Sequence, residues 1–234
     1  MSPSLLSARC LTIFLAVMGL AWGFSILPKS EASDDLRDTQ NQLLRSETFA
    51  PKTLTRTLES PAFRNLSDCD APAQIALLLI EARVAEASLR AGAVTDFDRL
   101  SKAVESRSDR ILACAPRQSF AWLVKFSQAV LRGQLDEQSF NLLFMSYETS
   151  PNEAWISIRR NNVAIPLLLV LPERLKEEAL TDFRRLMNGD FREEAARLYL
   201  AASQAIRPLL QASIEKLEAD RQKVFWETVY RIKS

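Results

Sequence analysis

Residues 72–98 read PAQIALLLIEARVAEASLRAGAVTDFD, and their spacing decides the fold class. Ile75, Leu78, Leu79, Ala82 and Leu89 fall on one face of a helix with 3.6 residues per turn. Pro72 stands where a helix opens, because the amide hydrogen that proline lacks would have no partner in the first turn anyway. Gly92 stands where the helix stops, since glycine accepts the left-handed backbone of a helix end. Three residues on, Thr95-Asp-Phe-Asp98 has the form of a capping box with Asp in place of Glu. Phe97, Leu100, Val104 and Ile111 then carry the next helical face. So short a step between two helices predicts an antiparallel hairpin.

The same punctuation continues along the chain. Pro116, Pro151 and Pro172 open further segments, Gly133 and Gly189 close two of them, and Gly133 to Asp136 repeats the step from stop to cap. Phe140, Leu143, Phe144 and Tyr147 keep the helical period, as do Phe191, Ala195, Leu198, Tyr199 and Ala202. Ser150-Pro-Asn-Glu153 supplies a cap, a first-position proline and a reciprocal Glu. These signals predict helices over 72–91, 95–113, 117–132, 136–148, 152–161, 172–188, 190–206 and 208–232, the last broken near Asp220. Residues 163–171 (VAIPLLLVL) are too few to span a membrane and carry Pro166 centrally, which suits a buried helical turn or an irregular core segment. No segment alternates apolar and polar residues, so the expected fold is all-α, built of stacked antiparallel helical hairpins over residues 68–234.

Helix pairs with proline before the first helix and glycine at the turn resemble tetratricopeptide repeats, whose hairpins need neighbours to bury their apolar faces. The likeness is best from Pro116, where Trp122 follows by six residues, and a second Pro-Trp group, Pro151 with Trp155, comes after about one repeat length. Where the motif has Leu, Gly and Tyr after its Trp, this chain has Lys125, Phe126 and Ala129. The resemblance implies a TPR-like interaction scaffold that presents a groove and does no chemistry of its own.

Ahead of the hairpins, Leu11 to Leu27 (LTIFLAVMGLAWGFSIL) is uncharged and mostly apolar, and makes roughly 25 Å of helix at 1.5 Å per residue. It reads as an N-terminal transmembrane or signal-anchor helix in residues 1–28, followed by a juxtamembrane linker over 29–67 with a short helical pattern at Leu36, Gln40, Leu43 and Leu44. Ser30-x-Ala32 offers a cleavage site, which makes an exported soluble protein the competing expectation. Cys10 precedes the apolar run, unlike the cysteine of a lipoprotein. Arg9 and the amino terminus against Lys29 favour an N-terminus inside, and so an inner-membrane, single-pass chain of bacterial type with its C-terminal domain in the periplasm. In an oxidising compartment Cys69 and Cys114 form a pair. They lie at the start of one predicted helix and the end of the next, hence side by side if the hairpin closes, and a disulfide is expected.

Composition removes many activities. The chain of 234 residues has no His, which excludes Ser-His-Asp and Cys-His catalysis and His-ligated metals. Only five Gly are present, and none forms a phosphate-cradling Gly-rich loop. With 30 basic and 29 acidic residues there is no excess charge to attract nucleic acid. Asp96 and Asp98 could pass for a metal-binding pair, but in a first helical turn they serve the helix dipole, so neither a cofactor nor a metal is expected. Glu177-Glu178 and Glu193-Glu194 are helical neighbours pointing about 100° apart, unable to flank one bond. Arg184, Arg185 and Arg192 to Arg197 could draw an anionic polymer, yet Glu177, Glu178, Asp182, Glu193 and Glu194 interleave with them, as on a solvated, ion-paired face. Asn65-Leu-Ser67 is a glycosylation sequon in a secreting eukaryote.

Trp155-Ile-Ser-Ile-Arg159-Arg160 is the densest polar-aromatic cluster, and Trp155 and Arg159 share a helix face. Trp beside Arg suits an interface anchor, so Trp155, Arg159 and Arg160 are the expected interaction surface. The competing reading packs Trp155 between hairpins and pairs Arg159 or Arg160 with Glu148 or Glu153. The expected function is a membrane-tethered extracytoplasmic scaffold for another membrane or extracytoplasmic protein, set by architecture and compartment in envelope or surface-polysaccharide assembly. Two rivals are an enzyme or binder of glycan or peptidoglycan using carboxylates in a helical groove, and a purely structural subunit of a membrane complex.

Overall fold

The computed structural model describes residues 12–23, 51–60 and 66–233, and every regular element among them is helical. The charges Arg9 and Lys29, the Ser30-x-Ala32 cleavage site, Cys10, the pattern at Leu36 to Leu44 and Asn65 of the sequon lie outside the described residues. The chain divides into two compact units, Met1–Ala103 and Val104–Ser234.

In the first unit, α1 covers 12–23. Its large apolar side chains are open to solvent, from Met18 at 56% to Trp22 at 71%. Among the described residues no helix is long and apolar enough to cross a membrane. Of the expected anchor over 11–27, only 12–23 are described. Helix α2 (Pro51–Leu58) packs against α3 (Ala71–Arg90), with Leu54 buried. Asp70 caps α3 by accepting the Ala73 amide at 3.4 Å, and Pro72 sits in its first turn. At the other end Gly92, with φ +74°, donates to the Leu89 carbonyl, and Ala93 reaches back to Ser88. The next helix, α4 (Val94–Cys114), begins one residue before Thr95. That residue is therefore inside the first turn rather than at the cap, and Asp96 pairs with Arg99 at 3.4 Å. Cys69 and Cys114 are disulfide-bonded.

The second unit holds the end of α4, then α5 (Ser119–Leu131), α6 (Glu137–Thr149), α7 (Ala154–Ala164), a 3-10 turn (Ile165–Leu167), α8 (Glu173–Asn188), α9 (Arg192–Ala201), α10 (Arg207–Ile214) and α11 (Ala219–Lys233). Arg132 forks onto both oxygens of Glu105 at 2.9 and 3.0 Å, and Lys125 pairs with Asp109, so α5 runs antiparallel to this part of α4. Ser119 at the start of α5 meets Ser146 near the end of α6 at 3.0 Å, which makes α5 and α6 a second antiparallel pair. Between them Gly133 takes φ +74°, and Asp136 and Ser139 form a reciprocal capping box.

Further predicted boundaries differ. Ser150 ends α6, and Glu153, expected at the third helical position, is the N-cap of α7; the Ser150 hydroxyl donates to its carboxylate at 3.0 Å. The helix expected over 190–206 stops at Ala201, because Ala202 turns to extended backbone. Pro208 then lies in the first turn of α10, and the expected break near Asp220 separates α10 from α11.

One continuous core runs through this unit. It contains Phe126, Leu143, Leu168, Phe183, Met187, Leu210 and Phe225. The 163–171 run contributes Ala164, Ile165, Leu168 and Leu171 to the core while Leu169 and Val170 are exposed. Near the C-terminus α11 passes α10 to lie against α9, with Tyr199 edge-on to Phe225 and Trp226, and Arg231 pairing with Glu193.

Candidate functional site

Helix α7 carries the expected interaction residues, and its two faces treat them differently. Ile156, Arg160 and Ala164 are four apart and point inward, whereas Trp155 and Arg159 lie half-buried on a neighbouring face. The Trp155 ring sits 5.5 Å from that of Phe120, the second residue of α5, tilted by 50°. The Arg159 guanidinium lies 6.0 Å from the centre of the same ring. Both side chains therefore cover Phe120, which is itself buried. Aromatic and cation–π contacts of this geometry stabilise by roughly 0.5–1.5 kcal/mol each while leaving the outer edges of both groups accessible.

The expectation of a surface Arg160 is corrected, because it is 0% exposed. Its Nε donates to Asp182 Oδ2 at 2.8 Å. One terminal nitrogen donates to the carbonyls of Ser146 and Ser150 at 2.8 and 3.0 Å, and the other to the Ser157 hydroxyl at 3.2 Å. The guanidinium also lies 4.6 Å from the centre of the Tyr147 ring. A planar fork of five N–H groups suits this task, since it can close the carbonyl end of α6 and hold a carboxylate on α8 at once. Neither Glu148 nor Glu153 pairs with it; Glu148 instead meets Arg174, which stacks 3.9 Å over Phe144.

Asp182 is likewise 0% exposed, which overturns its placement on a solvated face. Its second oxygen accepts from Arg185 at 3.4 Å, and Arg185 donates to the Pro151 carbonyl at 2.7 Å. A signal for it exists in the sequence: Leu175, Ala179, Asp182, Phe183 and Leu186 trace one helical stripe, so Asp182 interrupts the apolar face of α8. Tyr147 completes the surroundings. Burial first, then the Asp182 charge, hold its hydroxyl well above its ordinary pKa, and among the described residues that hydroxyl meets no hydrogen-bond partner.

This cluster is poorly suited to acid–base work. Asp182 is held by two guanidinium groups and closed off from solvent, and Tyr147 resists losing its proton. Its chemistry is that of a structural node joining α6, α7 and α8. Among the described residues no group of three or more Cys, Asp or Glu is placed to hold a metal ion, and Asp96 is engaged by Arg99 in the first turn of α4. The chain matches no family model, no curated protein and no solved structure.

Proposed function

We propose that this protein is a membrane-tethered, extracytoplasmic scaffold whose TPR-like helical stack docks another membrane or extracytoplasmic protein, in the setting of envelope or surface-polysaccharide assembly. The observation that carries the docking reading is the half-buried pair of Trp155 and Arg159 spread over Phe120. A large aromatic ring and a guanidinium, already ordered by packing, lose little conformational entropy when a partner covers them. The tether rests on α1. A helix apolar nearly all round, whose large side chains from Ile13 to Trp22 are exposed, is suited to lipid, and the apolar run over 11–27 supplies it.

The test has two arms. Trp155→Ala with Arg159→Ala should abolish site-specific crosslinking to the partner in native membranes while the melting temperature moves by only a few degrees. A drop corresponding to about 3–5 kcal/mol with crosslinking unchanged would make Trp155 a packing residue and sink the docking reading. A reporter fused after Ser234 should be active outside the cytoplasm in a chain that stays with membranes after a high-salt wash. Cytoplasmic activity would overturn the compartment, and release into the exported soluble fraction would overturn the tether.

A further inference from the structure

We draw no further inference here: the strongest candidate, the groove of about 500 Å3 between α2 and the C-terminal end of α3 where Thr55, Arg56 and Glu59 face Val84, Ala87 and Ala91, is an unpartnered surface, and nothing in the structure shows what covers it.

Discussion

Arg160 and Asp182 are both fully buried, and each depends on the other because an unpaired charge in a closed interior is far costlier than a paired one. Asp182→Asn keeps the shape and removes the counter-charge, so it should destabilise the protein by about 3–5 kcal/mol in chemical denaturation. Replacing both partners with apolar residues of similar volume, Arg160→Met with Asp182→Leu, should recover most of that loss, because no stranded charge remains. If the double variant is as unstable as Asp182→Asn, the hydrogen bonds to Ser146 and Ser150 matter more than charge balance. Tyr147 gives a pH signature. With its folded pKa raised above an unfolded value of about 10, the folded state holds the proton longer than the unfolded chain. Its contribution is fully present below pH ~10 and declines above it, by about 1.4 kcal/mol per pH unit. Tyr147→Phe should flatten that part of the alkaline stability curve, and an unchanged slope would assign the loss to other groups.

The helices themselves follow from local chemistry, and the glycines that stop them separate into two kinds. Gly92 and Gly133 adopt φ +74°, where a Cβ crowds the following carbonyl, so alanine at either should cost about 1–2 kcal/mol in thermal denaturation. Gly189 ends α8 in extended backbone, and a Cβ there would meet the Arg185 carbonyl at 3.4 Å, an ordinary contact. Gly189→Ala should therefore be near neutral, although the three glycines read alike as helix stops. The same contrast explains what the sequence reveals. Stops and caps such as Gly133 and Asp136 are legible because their partners lie within a few residues. Glu153 is misplaced because the end of α6 and the start of α7 share one short loop, and both ends want the same polar residues. Arg160 is misread because a charged residue beside Arg159 and two Asn looks solvated, and its counter-charge, Asp182, lies 22 residues away. That pairing is tertiary, and a helical period on one segment carries no information about which other segment faces it.

For the whole molecule, the covalent term is the disulfide of Cys69 and Cys114. Closing a loop of about 45 residues reduces the freedom of the unfolded chain and stabilises by up to about 4 kcal/mol in the chain-entropy treatment. Peptides from non-reduced protein should contain the linked pair by mass spectrometry. Cys69→Ser with Cys114→Ser should lower the melting temperature by several degrees, and two free thiols in protein isolated without reductant would remove this contribution altogether. The buried ion pair has a consequence of another kind, for descent. A lineage can lose Arg160 or Asp182 alone only by passing through a form that has forfeited a large part of a typical domain's stability, so the two positions are locked into joint inheritance. Divergent descendants of this chain should keep both charges or neither, and a pair of positions that change together would identify such kin after the surface residues have drifted past recognition.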